Sequence, residues 1–293
     1  MQSDCQTCPL RRDGLCASVA DEQLSNWAAI KRPVRTIRAG ASLFVEGDEN
    51  EMVYIVRRGW ALASMMHENG RRQVLRFVMP GNLIGFERGP DGDMPCTVEA
   101  LTDLIVCPMP RHSLMRFCQQ VPNVALRMAS LLAAETISDW RLLGGLGTRT
   151  AAERIARLLL ALYNRQRQRT APDISDVTLP ISQVLIADAT GLTPVHVCRT
   201  LKEMRTAGLL SFAKGHLRVL DWMRLTELAE MNDATAPQPL AKQDVSLPLT
   251  NPRGCGQLPQ DLRKPLLESP GVRIIPPRLS IDTWEPGIAG ERA

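Results

Sequence analysis

A chain of 293 residues that is 44% hydrophobic and 23% charged has room for two modest domains, each with its own core, and the composition of an ordinary folded protein in water. Its longest apolar runs, such as Ile155-Ala-Arg-Leu-Leu-Leu160, are too short to span a bilayer, and the polar start lacks a secretory apolar stretch, so a cytoplasmic protein is expected. The net charge of +4 excludes little until it is located: residues 148–220 hold 11 Lys/Arg against 5 Asp/Glu, the footprint of a nucleic-acid-binding module beside a near-neutral sensor.

Residues 1–20 carry three of the eight cysteines, spaced Cys5-x2-Cys8-x7-Cys16. In a cytosolic chain such spacing points to metal ligation, redox sensing or burial rather than to a disulfide framework. A helix is expected over residues 21–30, with Asp21 as its cap and Leu24, Trp27 and Ile30 on one face. From about residue 33 to 110 the pattern changes to short apolar strands punctuated by Gly40, Gly47, Gly59, Gly70, Gly81 and Gly85, which predicts a sandwich or barrel.

Residues 112–146 read as one long helix, interrupted near its start by Pro122. Ala125, Met128, Leu132, Leu142 and Leu146 keep a seven-residue repeat, although Glu135 and Asp139 stand in the same seam. A helix following a β domain has little else to pack on, so this stripe is expected to pair with its counterpart in a homodimer. Residues 151–167 form an amphipathic helix through Ile155, Leu158, Leu159 and Leu162. A loop over 170–176, two short helices and a hairpin follow, the hairpin formed by 209–212 and 217–220 around Lys214-Gly215-His216. Residues 232–293 hold ten of the 21 prolines and no periodicity, and read as a disordered extension.

The most informative stretch is residues 183–202. A helix-turn-helix needs a small residue where its helices cross, a turn residue able to adopt positive φ, and apolar residues locking the second helix. Ala187 supplies the first and Gly191 the second, while Ile186, Leu192, Val197 and Leu201 supply the third. Thr193 caps the second helix and Pro194 opens it. Thr190 alone departs, standing where an apolar residue fits better. Val195, His196, Cys198, Arg199 and Lys202 are left facing outward, towards the major groove of double-stranded DNA. Arg199 can fork onto guanine O6 and N7, whereas Lys202, and Lys214 in the hairpin, reach phosphate. Catalysis is not expected: His67, His112, His196 and His216 are scattered, with no nucleophile elbow or phosphate-cradling loop.

These parts together resemble the CRP/FNR superfamily, named for the cyclic-AMP receptor protein and the fumarate–nitrate reduction regulator. The resemblance covers about residues 1–230. It rests on Arg38-Ala-Gly-Ala-Ser-Leu-Phe-Val-Glu-Gly-Asp48, Tyr54-Ile-Val-Arg-Arg-Gly59, Pro80-Gly-Asn-Leu-Ile-Gly85 and Gly191-Leu-Thr-Pro-Val-His-Val-Cys-Arg199. It implies an α+β protein with a β-roll sensory domain (21–110), a dimerisation helix (111–147) and a winged helix-turn-helix (148–222). Such a homodimer binds near-palindromic operators, its recognition helices roughly 34 Å apart, with RNA polymerase as a further partner.

Nucleotide-binding members place a Glu after the phosphate-side glycines and an Arg-Ser/Thr pair beyond it. Here Phe86 follows Gly85 and the pair region reads Asp93-Met-Pro-Cys96, so cyclic AMP is not the expected ligand. Arg88 lies near but displaced. The cysteines resemble the ligand set of the FNR/FixK-like oxygen sensors. Their fourth ligand ends a β-roll strand, which picks out Cys107 rather than Cys96. Cys5, Cys8, Cys16 and Cys107 would then hold a [4Fe–4S] cluster whose loss to oxygen alters the dimer helix. Structural zinc, or simple burial of the thiols with a metabolite, nitric oxide or haem as the signal, are the alternatives. Val195 and Cys198 occupy positions where FNR-type recognition helices carry Glu and Ser for a TTGAT half-site, so a different neighbouring base pair is expected.

Overall fold

Short strands whose side chains alternate between two faces build the N-terminal part. The computed structural model describes residues 5–89, 91–167 and 176–229; the Pro-rich stretch 232–293 and most of the expected loop 170–176 lie outside the described residues. Among the described residues eight strands precede the first long helix: β1 (Arg35–Ile37), β2 (Ser42–Phe44), β3 (Met52–Arg58), β4 (Ala61–Met66), β5 (Arg72–Val78), β6 (Leu83–Ile84), β7 (Thr97–Ala100) and β8 (Leu104–Pro110). They pair antiparallel in two sheets, ordered β1-β8-β3-β6 and β2-β7-β4-β5. Tyr54, Val56, Leu104 and Val106 of the first sheet share a core with Phe44, Ala63 and Val98 of the second. Gly59 has φ +87°, and a Cβ there would sit 2.2 Å from the Asp103 carbonyl oxygen, so only glycine fits this turn.

The first sheet is buried on both faces. Along β3, Tyr54 and Val56 enter the sandwich while Val53 and Ile55 join a second apolar cluster outside it. Along β8, Leu104 and Val106 point inward and Cys107 and Met109 outward. The outer face is covered by the N-terminal segment and two helices. The expected helix over 21–30 starts as a 3-10 turn, Asp21–Gln23, and continues as α1 (Leu24–Ala29). Asp21 is not its cap; the Asp21 carboxylate accepts from the Arg11 guanidinium instead.

The single helix expected over 112–146 is two. α2 (Arg111–Gln120) ends at Val121, whose φ of −128° and ψ of 80° are not helical, and α3 (Pro122–Thr148) begins with Pro122 in its first turn. The stripe expected to pair between two chains makes contacts within this one. Ala125 and Met128 pack against the N-terminal apolar cluster of the same chain. The Glu135 carboxylate accepts from Arg76 of β5 at 2.6 Å and from Asn82 at 2.9 Å. Burial raises the Glu135 and Asp139 carboxyls above their ordinary range, with the Arg76 guanidinium opposing the shift in both. Glu135 of that stripe is thus paired within its own chain, to Arg76 of β5 and to Asn82. Leu126, Ile137, Trp140 and Leu143 are left exposed on the other side.

The C-terminal part comprises α4 (Ala151–Arg167), β9 (Asp176–Thr178), α5 (Gln183–Thr190), α6 (Pro194–Thr206), β10 (Leu210–Ala213), β11 (His216–Val219) and α7 (Trp222–Leu228). Ile155, Leu159 and Leu162 of α4 are buried, as their spacing predicts. The hairpin turn contains two residues, Lys214 (φ 49°) and Gly215 (φ 80°), and His216 already pairs with Ala213. β9 adds a third strand beside β11, and α7 packs on α4 with the Tyr163 and Trp222 rings 5.7 Å apart. Neither element was expected. Trp60, Leu62, Val74, Phe77 and Met79 of the β-roll join the core of this unit. Arg72 of β5 also pairs with Asp188 of α5 at 2.9 Å. No helix among the described residues is long and apolar enough to cross a membrane.

Candidate nucleic-acid interface and cysteine site

Local capping fixes the two helices of the nucleic-acid interface. The Ser182 hydroxyl accepts the backbone N–H of Leu185 and starts α5; Gly191, at φ 66°, closes it in the left-handed region. The Thr193 hydroxyl accepts the His196 backbone N–H, with Pro194 behind it. Thr190, the position that departs from the apolar pattern, is fully buried but satisfied: its hydroxyl donates to the Ile186 carbonyl at 2.6 Å. The Thr190 carbonyl in turn accepts from Arg154 at 2.9 Å.

α6 buries Val197, Thr200, Leu201 and Met204. The opposite side therefore presents Thr193, Val195, Cys198, Arg199 and Lys202 to solvent, with His196 half-buried at its edge. Val195 is 80% exposed near the start of α6, so its methyls are open to contact from that side. Arg199 makes only a loose pair with Glu203, 3.8 Å away one helical turn on, which leaves its guanidinium available. Lys214 stands exposed at the hairpin tip.

The cysteine site is assembled by strand parity and by an N-terminal segment of two short 3-10 turns, Pro9–Arg12 and Leu15–Ser18. Because Val106 fills the sandwich, Cys107 must point to the outer face, and there it joins the apolar cluster that contains Cys5 and Cys16 and abuts Cys8. Arg11 ties the segment together by donating to the Cys16 carbonyl at 3.2 Å and the Val19 carbonyl at 2.5 Å. Gly14 seats it on the β-roll: its φ is +60°, and a Cβ there would meet the Gly81 carbonyl oxygen at 2.5 Å. Burial pushes the Cys107 thiol up to about 11, with Lys31 working against the shift and the Cys16 and Cys8 thiols adding to it. Cys16 is raised likewise by burial and lowered by Lys31 and Trp27. The four thiols are therefore electrostatic neighbours. Cys118, in the same apolar cluster, is shifted by burial alone, and Cys96 packs against the sandwich core instead.

Among the described residues no three His, Cys, Asp or Glu side chains stand close enough to hold a single metal ion. A cubane of four irons binds one thiolate on each iron and spaces them more widely than one tetrahedral ion does. The donor chemistry fits such a group: four thiols, apolar walls and a neighbouring cation. Three side chains here, Lys31, Trp27 and Arg127, have roles that the sequence alone did not indicate. Lys31 Nζ lies 3.3 Å from Cys5 Sγ and 4.0 Å from Cys16 Sγ. The Trp27 indole N–H is buried without a well-formed hydrogen bond. Arg127 of α3 donates to the Gly14 carbonyl at 3.2 Å, joining the segment to the long helix. No local pattern marks these side chains, because each acts across 15 or more residues of chain or from inside an otherwise ordinary helix.

The cations near the β-roll turn where a cyclic phosphate would be held are already engaged. Arg88 donates to the Gly92 carbonyl at 2.7 Å and pairs with Glu51 at 3.0 Å. Arg111 caps the Gly85 and Phe86 carbonyls, both at 2.6 Å.

Comparison with known proteins adds a consistent set of likenesses. The profile of the cyclic nucleotide-binding domain family matches residues 34–121, and that of the Crp-like helix-turn-helix domain family matches residues 153–228. The transcriptional activator protein FnrL of Cereibacter sphaeroides is 31% identical over 233 residues, covering 77% of this chain and 91% of that protein. The nitrogen fixation regulation protein FixK of Bradyrhizobium diazoefficiens is 29% identical over 226 residues, covering 77% and 93%. Among solved structures, FixK2 from Bradyrhizobium japonicum superposes with a TM-score of 0.61 at 29% identity, over 68% of this chain and 97% of that one.

Proposed function

Since the chain belongs to the CRP/FNR family of DNA-binding transcription regulators, in its FNR/FixK branch, and not to a family of enzymes, we propose that it is a homodimeric, cytoplasmic regulator whose operator binding responds to oxygen or redox state. One observation carries this reading. The apolar cluster that gathers Cys5, Cys8, Cys16 and Cys107 also contains Val124 and packs against Ala125, Met128 and Leu131 on the inner face of α3. A [4Fe–4S] cluster held by those four thiolates would supply an oxygen-labile centre. The chain's own residues do the rest. Arg127 bonds the cysteine segment to α3, so a change in that segment's packing is felt along the helix whose outer face bears Ile137, Trp140 and Leu143. Cyclic AMP is not assigned as a ligand, and RNA polymerase is a proposed partner through the family.

On DNA, Arg199 forks onto a guanine and Val195 packs against a thymine methyl, while Thr193, His196, Cys198, Lys202 and Lys214 line the groove and the phosphates. Selection from a random duplex library is expected to recover a near-palindrome that keeps the Arg199 guanine but differs from TTGAT at the neighbouring pair. Replacing Arg199 by alanine should weaken binding by about 1–3 kcal/mol, roughly 5- to 150-fold, and flatten the preference at that one base. Recovery of unmodified TTGAT with full preference, or a uniform loss across sequences in R199A, would contradict these contacts.

A further inference from the structure

The cysteine site contains a cation that the family motif does not specify. Lys31 follows α1 and is fixed by backbone bonds at two successive residues: its own N–H donates to Ala28 at 3.2 Å, and the N–H of Arg32 donates to the Pro108 carbonyl of β8 at 2.8 Å. The second bond anchors the segment one residue from Cys107. The side chain is half-buried, and its ammonium lies over the Trp27 ring, 4.8 Å from the centroid. From there it reaches Cys5 Sγ at 3.3 Å and Cys16 Sγ at 4.0 Å. Lys31 thus reaches two of the four thiols from one fixed position. The fully buried Trp27, with its unbonded indole N–H, lies beside Cys16 and offers a second donor to sulfur.

We propose that Lys31 is a positioning residue of the cysteine site, holding Cys5 and Cys16 in place and offsetting the negative charge of a thiolate-ligated cluster; this rests on the cluster reading above. Four thiolates gathered in an apolar pocket repel one another, and a fixed cation among them offsets that repulsion. A cluster held by these thiolates would be lost in air by oxidation, with dissolved dioxygen taking the electron. A positive charge beside the thiolates favours the electron-rich state, raises the potential and makes that electron harder to remove. Packing cannot substitute for this effect, because it depends on charge and on donors aimed at sulfur.

The test uses the full chain, reconstituted anaerobically with iron and sulfide, as wild type, Lys31→Met, Lys31→Gln and Lys31→Arg. Iron content, the absorbance band at about 400 nm, its decay in air-saturated buffer and the midpoint potential are measured together. K31M and K31Q are expected to bleach about fivefold faster than wild type and to titrate at a lower potential. K31R, which keeps the charge, stays near wild type. If K31M fails to fold by circular dichroism, K31Q carries the comparison. Wild-type iron content with unchanged decay and potential in K31M and K31Q overturns the role of Lys31 and leaves the cluster reading standing. So does a K31R protein as labile as K31M. A wild-type chain that takes up no iron and sulfide overturns both.

Discussion

Replacing Cys107 by alanine is expected to abolish iron–sulfur binding, taking anaerobic iron from about four atoms per chain to near zero, while Cys118→Ala keeps the full complement. Both residues are buried cysteines of one apolar cluster, and both substitutions remove the same atom. A merely structural role would make them equivalent. They differ in their neighbours: Cys107 leaves β8 on the face where Cys16 lies and its thiol is pushed up in part by Cys16 and Cys8, whereas burial is what raises the Cys118 thiol in α2. Loss of the cluster leaves Cys5, Cys8 and Cys16 without a common anchor on the β-roll, and their packing against α3 loosens. Equal iron in the two variants would remove Cys107 from the ligand set.

The second large effect is expected at Trp140. This side chain is 68% exposed, with Leu143 at 63%, Leu126 at 53% and Ile137 at 43% along the same side of α3. A 27-residue helix extends about 40 Å, long enough for a two-fold pairing in which each residue meets its own stripe again. Burying one such Trp contributes on the order of 3 kcal/mol, and symmetry counts it twice. Trp140→Glu also brings two carboxylates towards the two-fold axis. The dimer constant should therefore weaken by roughly a thousandfold or more, and half-site binding should replace cooperative operator binding, whereas Trp140→Phe stays dimeric. Sedimentation equilibrium reads this directly; a W140E protein that sediments as a dimer places the interface elsewhere.

The helix-turn-helix was legible because its signals are local. Thr193, Pro194 and Gly191 each act within four residues through caps and backbone angles, and Val197, Leu201 and Met204 repeat at helical spacing. The glycine-spaced strands were legible for the same reason. Sequence periodicity failed at α3 because the deciding partner is remote. Glu135 looks like a flaw in a dimer seam until Arg76, on β5, is seen to pair with it. That pairing turns the Ala125–Met128 stripe inward and makes the stripe through Ile137 and Trp140 the outer one. The choice of Cys107 rested on resemblance; its physical basis is strand alternation against Val106, visible only once the sandwich is known. Lys31, Trp27 and Arg127 gave no local sign, since each matters through a contact made by tertiary packing. β9 and α7 are short, and short elements carry little periodicity.

The most direct test of oxygen-gated DNA binding follows affinity and cluster in one sample. Anaerobic, iron-loaded protein is titrated onto the selected operator by fluorescence anisotropy, then exposed to air in steps while the cluster absorbance is recorded. Operator affinity should fall at least tenfold, in step with bleaching, and the dimer fraction should fall with it. An affinity that stays constant while the absorbance disappears would show a regulator that binds DNA without regard to the cysteine site.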